Sequence, residues 1–422
     1  AYGAATDNRG YFEIQNIFAG EYTLTASHVG YEDYIYEHII VEKDIPAKLT
    51  INLHPTVGML EEIQVSAARD FNRDSAFRIT LSSEQINNTS ARTLGELLVQ
   101  IPGVDIIEKG AGGGQKKISI RGSNPNQVLV LLDGIPLNDP LTGEADLNLV
   151  PISMVEDVTI HKGGNASKSG SGSMGGQVEI KTKKFLKNEV RVGINGGSFN
   201  ARGGNIALSA ALGRFSLFSN YDYQTEDGNF PYTYFELDGT QISEDRLNTD
   251  FKSRQFFIKT GYHADQHQLI LQANLYQSDR GLPGTIFFWT PYASADVQRK
   301  LAAASYHFTG DQLNLSLQVS ALQNSSEYQN LWPEDPPLKY RRVPPYHTHY
   351  QLEVYQAESQ STWRWSESNE AIVRLYYRID RFRDKDLFTN DPAMIQEANN
   401  LQAAIGVENN WRFVPENLSL IH

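Results

Sequence analysis

The sequence contains no cysteine, which excludes disulfides, a thiolate metal site and a cysteine nucleophile. Basic residues are also in the minority, because 37 Lys and Arg stand against 50 Asp and Glu and give a formal net charge of −13. A nucleic-acid partner would require a basic face. The charge balance therefore argues against such a partner.

Long apolar runs are missing as well. The longest clean run, Val128 to Leu132, is far shorter than the roughly 18 to 20 residues of a membrane helix. A soluble protein would show this absence, but so would a transmembrane β-barrel, whose strands need only about 9 to 11 residues of alternating polarity. The first residues also lack the basic start and apolar core of a signal peptide. For an outer-membrane protein this predicts a mature form or a fragment.

The segment from Ile118 to Leu137, ISIRGSNPNQVLVLLDGIPL, carries the most distinctive pattern. Its apolar run is cut off by Asp133-Gly134, which predicts a strand pair closed by a tight turn in which both residues have positive φ. Many small domains contain such a hairpin. The flanking sequence is therefore needed to assign the hairpin to a kind of domain.

The flanking sequence contains residues that begin and end a short helix. Thr93 and Glu96 have capping-box spacing, and Pro102-Gly103 must end the short helix that they begin. A glycine-rich stretch, GSGSMGGQVEIKT, follows further on. Taken together, Leu94 to Thr182 resembles the plug domain of the TonB-dependent outer-membrane transporters. The resemblance implies a mixed α/β plug over residues 68–182.

Residues 1–54 form a pattern of short strands separated by turns. The pattern TDNRGYFEIQNIFAGEYTLTASHVGYEDY is similar to the small β-sandwich related to the carboxypeptidase regulatory domain, which often precedes the plug in transporters of the Bacteroidetes type. We expect residues 1–56 to be a partial sandwich with its first strand or strands upstream, because half a sandwich leaves a core face uncovered. The predicted strands are Gly10 to Ile14, Glu21 to Val29, Tyr34 to Val41 and Lys48 to Leu53.

Between sandwich and plug, residues 57–67 form a predicted linker with one short alternating strand. By pattern alone, a plain linker strand explains it as well as any functional segment does. The family carries its TonB box immediately before the plug, and Glu62 to Ala67 is similar to that box. Pairing with TonB would need an extended backbone whose free N–H and C=O groups add to the edge of a partner's sheet. The resemblance thus implies a TonB-binding segment made of Glu62, Ile63, Gln64, Val65, Ser66 and Ala67.

Two loops of the plug are candidates for ligand contact. A phosphate-binding function of Gly110 to Gly114 is disfavoured, since no G-K-[ST] follows and the next residues lead into a strand. Within the resemblance, Lys109 to Lys117 and Leu141 to Ala145 match apical plug loops that face the ligand. Surface loops without any ligand contact are the other interpretation. The implied ligand-binding residues are Lys109, Gly110, Gly113, Gln115, Leu141, Thr142 and Glu144.

After Thr182, apolar and polar residues alternate, as they do from Leu313 to Ala321, which predicts strands with one apolar and one polar face. The strands of a soluble β-sandwich show the same alternation, so the lengths of the connections must distinguish a sandwich from a barrel. Short turns such as Gly310-Asp311 alternate with long polar loops near 225–250, 279–299, 325–347 and 383–400. Tight periplasmic turns and long external loops are typical of an outer-membrane barrel.

Residues 183–422 are therefore predicted to be the N-terminal part of a transmembrane antiparallel β-barrel. They provide roughly eleven strands, whereas a barrel wide enough to hold a plug needs about 22. The predicted fold class is mainly β: a β-sandwich fragment, a mixed α/β plug and the first half of a large barrel. An open half-barrel exposes strand edges, so we do not expect this chain alone to be stable.

The resemblance implies an active transporter of the bacterial outer membrane rather than an enzyme. Its partners would be TonB with its inner-membrane energising complex, outer-membrane lipid, and a ligand such as cobalamin, a ferric siderophore or another chelate. A surface lipoprotein is a further candidate partner. No cofactor, catalytic residue or metal-binding residue is predicted, since neither H-E-x-x-H nor G-x-S-x-G is present. A non-transporting barrel receptor or surface adhesin is the alternative.

The external loops carry side chains that suit stacking on a planar or glycosidic ligand, although girdle or loop-packing roles fit them equally well. His347 and His349 would share one face of a strand. A solvated loop-to-strand junction explains this pair better than a metal site, because no nearby acidic or histidine partner completes a ligand set. The loop residues in question are Phe230, Tyr232, Tyr234, Phe287, Phe288, Trp289, Trp332, Tyr340, Arg341 and Arg342.

Overall fold

A computed structural model of the chain describes residues 4, 6, 11–14, 17–26, 34–41, 49–52, 78–89, 91, 93–109, 114–163, 172–183, 188–235, 238–285, 287–366, 369–389, 391, 395–412 and 419–420. These residues belong to two compact units, Ala1–Ser66 and Ala67–His422. No helix in the described part of the chain is long and apolar enough to cross a membrane.

In the first unit, strand β1 (Gly20–Ala26) pairs antiparallel with β2 (Tyr34–Val41), with a register shift between Tyr22 and Leu24. Both strands agree with the sequence prediction. Residues 11–14 and 49–52, which belong to the two other predicted strands, are not in strands, so that part of the prediction is wrong. A strand needs a hydrogen-bonded neighbour, and the described residues of this unit provide none for them.

The second unit begins with a mixed α/β domain, the plug. Its five-stranded sheet has the order β3-β8-β9-β6-β7, in which β6 and β9 run parallel, while β4 and β5 form a separate hairpin. Single 3-10 turns lie at Pro125–Gln127, Leu147–Leu149 and Ile152–Met154. The elements are β3 (Arg78–Leu81), α1 (Ser83–Asn87), α2 (Leu94–Leu98), β4 (Val104–Lys109), β5 (Gln115–Ile120), β6 (Val128–Leu132), β7 (Ile135–Pro136), β8 (Val155–His161) and β9 (Gly176–Thr182).

Local signals fix the plug's turns where the sequence predicts them. The Thr93 hydroxyl accepts a hydrogen bond from the backbone N–H of Glu96 at 3.2 Å and caps helix α2. Asp133 and Gly134 have φ of 47° and 82°, and β6 and β7 pair directly across them. Both residues have a left-handed backbone conformation, as a two-residue hairpin of this type requires. Strand β6, in which every residue except Leu131 is buried, then becomes the centre of the plug core.

The rest of the unit is one antiparallel sheet of eleven strands in chain order, apart from a separate hairpin made by β13 and β14. The remaining 3-10 turn is Leu338–Tyr340. The strands are β10 (Glu189–Gly196), β11 (Arg202–Leu212), β12 (Phe215–Glu226), β13 (Phe230–Phe235), β14 (Gln241–Arg246), β15 (Phe251–Ala264), β16 (His267–Gly281), β17 (Ala293–Thr309), β18 (Leu313–Asn330), β19 (Tyr346–Ser366), β20 (Asn369–Asp386), β21 (Gln396–Arg412) and β22 (Ser419–Leu420).

Tight turns and long connections alternate along this sheet, but the long connections are shorter than predicted. The predicted loop near 225–250 contains the β13–β14 hairpin, and β18 and β20 run on to Asn330 and Asp386. The cross-strand hydrogen bonds continue through these polar segments because the backbone ladder does not depend on side-chain polarity. Several strands therefore exceed the length that a membrane crossing needs.

The two faces of the sheet differ in polarity in the opposite sense to a soluble sandwich. Leu313, Leu317 and Val319 of β18 point outward and are 42%, 39% and 53% exposed. Gln268 and Gln272 of β16 point inward and are 9% and 8% exposed. An apolar outward face, with polar residues on the inward face, is what a strand in lipid requires.

Candidate functional site

The plug is fastened to the inward face of the sheet at Asp133, in the turn between β6 and β7. Its carboxylate accepts hydrogen bonds from the backbone N–H and the hydroxyl of Thr182, at 2.9 and 2.6 Å. Lys259 Nζ of β15 lies 3.2 Å from the same carboxylate and 3.1 Å from the Thr182 hydroxyl. Gln318 of β18 donates to the Asp133 carbonyl at 3.1 Å. One plug turn is thus joined to two strands of the eleven-stranded sheet, which we call the wall.

Further wall side chains bind plug carbonyl groups. Both terminal nitrogens of Arg299 donate to the Leu137 carbonyl, at 3.2 and 3.3 Å, and Gln255 donates to the Leu149 carbonyl at 2.8 Å. Between these polar contacts, Ile135 packs in an apolar cluster with wall residues. Polar contacts and apolar packing therefore alternate along this seam. The cluster consists of Ile135, Leu301, Ala303, Leu322, Leu352 and Val354.

The loop that follows, residues 139–146, is organised by Asp139. One carboxylate oxygen accepts the backbone N–H groups of Leu141 and Thr142, at 2.8 and 3.2 Å, and the other accepts the hydroxyl of Tyr350 at 2.8 Å. Tyr350 lies close to the end of β19 at which the long connections meet. The loop is therefore held on the side of the sheet that carries the long connections.

The same loop is tied to the β4–β5 hairpin. Lys117 forms an ion pair with Glu144, and the Asn148 side chain donates to the Gly114 carbonyl at 2.7 Å. Burial raises the pKa of the neighbouring Asp146 carboxyl above its ordinary value of 3.8. The structure thus brings together the two plug loops that the resemblance assigns to ligand contact.

The predicted ligand-binding residues differ in their accessibility. Leu141 is 61% exposed and Thr142 is exposed, whereas Gln115 and Glu144 are half-buried. The backbone of Lys109 pairs with Gln115 at the end of the β4–β5 hairpin. Their role in ligand binding stays a prediction. The residues outside the described part of the chain are Gly110, Gly113 and the predicted TonB box at 62–67.

Aromatic side chains of three long connections pack around Trp289. Its ring stacks on Tyr340 with centroids 6.0 Å apart, lies 6.1 Å from Tyr232, and has Lys339 Nζ 5.1 Å above it. Trp289 is only 8% exposed. Packing between loops therefore accounts for this tryptophan. Lys339 also forms an ion pair with Glu244 of β14 at 3.2 Å, a link that the sequence alone does not reveal.

Beside this cluster lies an open cavity of about 690 Å³. Its lining is mostly apolar, with Phe230, Leu282, Phe288 and Tyr346, and Arg246 contributes a cation. Phe287 and Phe288 are 49% and 54% exposed. Of the predicted loop aromatics, these two phenylalanines thus remain accessible from outside.

The two neighbouring histidines have separate partners. His347 Nε2 lies 2.6 Å from Glu327 Oε1, and His349 Nε2 lies 2.9 Å from the Ser325 hydroxyl. Strand β18 thus places an acidic residue beside His347, but these contacts do not bring the two histidines and the glutamate together as a ligand set. Within the described ranges, no group of three His, Cys, Asp or Glu side chains is placed to hold a metal ion.

An apolar outward face, a polar inward face and a mixed α/β plug fastened to that inward face define the plug-and-barrel class of outer-membrane protein. Residues 72–177 match the TonB-dependent receptor plug domain, and residues 1–65 match the CarboxypepD_reg-like domain. The vitamin B12 transporter BtuB of Vibrio cholerae is 31% identical over 166 residues, 38% of this chain and 27% of the relative. Residues 72–177 are thus a plug domain of the TonB-dependent receptor family. The predicted recognition and location are thereby confirmed.

Solved structures show the same fold at low identity. The copper transporter OprC matches with a TM-score of 0.61 at 15% identity, over 82% of this chain and 53% of OprC. The FrpB iron transporter from Neisseria meningitidis matches with a TM-score of 0.62 at 16% identity, over 80% of this chain and 57% of FrpB. The chain spans about a quarter of the curated relative and about half of these structures. The plug-domain match and the curated relative, which is a transporter, agree with the prediction that the chain is not an enzyme.

Proposed function

We propose that this protein takes up a scarce ligand across the outer membrane, with the plug as the gate and TonB as the source of energy. The observation that carries the proposal is the seam between plug and wall. The plug is held by a limited set of contacts at Asp133, Leu137, Asp139, Leu149 and Thr182, against a sheet whose outward face suits lipid. A gate must be held firmly when closed and must be releasable.

The release signal would enter through residues 62–67. A TonB box there would add as a strand to the edge of the TonB sheet. The ligand must bind the released state better than the docked state for the signal to pass. This assignment uses a linker over residues 57–67 and domain boundaries at 56, 67 and 182, which stay predictions.

The ligand class proposed is cobalamin, a ferric siderophore or a similar chelate. Support comes from the vitamin B12 transporter relative, which is 31% identical over 166 residues. On this chain, the exposed Leu141 and Thr142 of the plug and the exposed Phe287 and Phe288 of a long connection offer surfaces for such a ligand. A bulky ligand with both apolar and polar parts would suit the mostly apolar cavity and its single arginine.

The test is ligand-dependent capture of TonB. The full-length protein in detergent is incubated with cobalamin or with each of a panel of ferric siderophores, and binding of the soluble TonB C-terminal domain is measured. We expect one ligand to bind and to strengthen capture. Val65→Pro, which removes a backbone N–H, should abolish capture and spare ligand binding, whereas Val65→Ala should capture normally. Ligand binding without any TonB capture would favour a passive receptor or adhesin.

A further inference from the structure

The contacts that fasten the plug are unevenly distributed over the wall. Hydrogen bonds reach the plug from β15, β17, β18 and β19, and the apolar cluster around Ile135 uses the last three of these strands. The 3-10 turn at Ile152–Met154 lies against β11 and β12. The fastened part of the wall thus runs up to β19, and β20 and β21 follow it directly in the sheet.

The side chains on the inward face of β20 and β21 are identified by the register. Val354 of β19 packs in the Ile135 cluster, its direct partner on β20 is Asp380, and Asp380 is paired in turn with Asn400 of β21. Directly paired residues point to the same face of a sheet, so every second residue from Asp380 and from Asn400 points inward. We call part of this inward face the inner track. It consists of Asp380, Arg378 and Arg374 on β20 and Gln402, Ala404 and Glu408 on β21.

The charged groups of the inner track are bonded to the wall itself. Arg374 donates to Gln360 of β19 at 3.0 Å and to Glu408 at 2.9 Å, and Arg378 donates to Asp380 at 2.7 Å. Each guanidinium therefore has a carboxylate partner on β20 or β21. These bonds stay intact when the plug moves away from the two strands.

Separation of the plug from the wall is more costly on the fastened side. At β15 it would pull Lys259 away from Asp133 and leave a buried carboxylate without its cation. At β17 it would take the Arg299 guanidinium from the Leu137 carbonyl. At β20 and β21 the hydrogen bonds of the inner track lie within the wall and survive the separation. A gap beside the plug therefore forms most readily along the inner track.

The inner track begins beside the plug loop that Asp139 organises. The ring of Phe382, which is inward by the same alternation, lies 5.1 Å from the ring of Tyr350, whose hydroxyl binds Asp139. From Phe382 down to Arg374, at about 3.3 Å per residue and a tilt of about 40°, β20 descends roughly 20 Å. Arg374 is close to the start of β20 at Asn369, on the side of the sheet that carries the short turns. The track thus joins the proposed ligand loop to the short-turn end of the wall.

The chemistry of the inner track suits passage rather than tight binding. A ligand in transit must be bound weakly at several places, because one strong site would retain it. The guanidinium groups are already paired with Asp380 and Glu408, so they attract a free anion weakly, whereas their remaining N–H groups and the Gln402 amide can bond amide or hydroxyl oxygens. Gly406, opposite Arg374, leaves further room, because a Cβ added there would meet the Arg374 side chain at an ordinary 3.7 Å.

We propose that the transported ligand passes the plug along the inner track, from the loop at 139–146 to the short-turn end of the wall. The cargo that fits this lining is a bulky chelate that carries amide or hydroxyl groups. Fastening on the other strands lets the plug move away from β20 and β21 while it stays attached at Asp133 and Leu137. This inference rests on the proposed function and specifies the route.

Accessibility to a charged thiol reagent tests, without any ligand, whether the inner track is open to water. The 422 residues contain no cysteine, and Ala404→Cys, Ala303→Cys and Ala403→Cys are made in a full-length protein without other cysteines. Ala303 is 8% exposed in the Ile135 cluster, and Ala403 is paired with the outward Tyr377. In outer-membrane vesicles, a sulfonated methanethiosulfonate should modify Ala404→Cys about tenfold faster than the other two variants. Equal rates would overturn the proposal.

Uptake by cells tests the route itself. Ala404→Trp places an indole in the inner track, and Ala403→Trp places the same group on the lipid-facing side. The probes are radiolabelled cobalamin and a panel of siderophores loaded with radioactive iron, and accumulation, surface binding and TonB capture are all measured. For a probe that the wild type accumulates, Ala404→Trp should lower accumulation about tenfold and leave surface binding and TonB capture unchanged, whereas Ala403→Trp should match the wild type.

The two ways in which this experiment can fail are distinguishable. Normal accumulation by Ala404→Trp would show that the route lies elsewhere and would leave the proposed function standing. Accumulation of none of the probes by the wild type would refute the proposed function, and the route with it.

Discussion

Asp133 and Lys259 lie 126 residues apart in the chain and meet in an ion pair of 3.2 Å, with side chains 6% and 8% exposed. The pair joins a plug turn to the inner wall. A buried ion pair adds little net stability by itself. Removal of one partner leaves the other charge buried without a counter-charge, which lowers the stability of the fold by about 3 to 5 kcal/mol. The ion pair therefore holds the plug to the wall, and replacement of one partner alone is more destabilising than replacement of both.

Lys259→Met should loosen the plug at this point. It leaves the Asp133 carboxylate buried without its cation, so exchange of the Thr182 amide hydrogen should become at least 100-fold faster in hydrogen-exchange measurements. The double variant Asp133→Asn/Lys259→Met should recover much of the protection. Lys300→Met, on the outward face, is the matched control and should leave the amide unchanged. Equal effects of Lys259→Met and Lys300→Met would contradict this fastening.

The Asp133-Gly134 turn between β6 and β7 leads to a second prediction. Gly134 has φ +82°, and a Cβ there would meet the Gln318 side chain only at an ordinary 3.5 Å. The cost of Gly134→Ala is therefore backbone strain, about 1 to 2 kcal/mol. Gly163, where an added Cβ meets nothing within 4 Å and φ is not left-handed, provides the control variant Gly163→Ala. Urea denaturation followed through the plug should separate the two variants, and coincident midpoints would count against the strained turn.

Short-range signals made the turn and the helix cap predictable. Asp-Gly after an apolar run, and Thr93 three residues before Glu96, each act within a few residues of the chain. Alternation likewise predicted the two faces of strands such as β18. The sequence also held an unused signal, because Phe230, Tyr232 and Tyr234 alternate in the segment that forms β13.

Long-range partners could not be predicted in the same way. The contact of Lys259 with Asp133 depends on how the whole plug seats against the wall, which no local pattern encodes. The register of β18 and β19 sets Glu327 opposite His349, and His347 reaches Glu327 diagonally. The ends of β16 and β18 extended into predicted loops because a ladder, once begun, satisfies backbone groups regardless of side-chain polarity.

The loop at 139–146 should loosen when its anchor is weakened. Tyr350→Phe removes the hydrogen bond to Asp139, worth about 1 kcal/mol, so exchange of the Leu141 and Thr142 amide hydrogens should become roughly fivefold faster. Tyr377→Phe, on the outward face, keeps the ring and should have no effect on these amides. If both variants leave the amides equally protected, Tyr350 does not organise the loop.

Asp146 provides a pH dependence with a defined sign. Its carboxyl pKa is raised from 3.8 by burial, although backbone N–H groups of Asn148 and Lys116 oppose the rise. The folded state therefore binds more protons than the unfolded state between 3.8 and the raised value, and this group adds stability as the pH falls through that window. Asp146→Asn should be more stable than the wild type at pH 7, with a smaller difference near pH 4. A difference that grows at low pH would contradict the buried carboxyl.

The central claim, energised uptake through a plug-gated barrel, is tested most directly by accumulation of a labelled ligand in cells that express the full-length protein. The ligand is the one identified by TonB capture, and uptake is measured with and without a protonophore that collapses the inner-membrane gradient. We predict that the protonophore stops accumulation but leaves surface binding intact, and that Val65→Pro has the same effect while Val65→Ala does not. Accumulation that continues without the gradient would contradict TonB-driven transport.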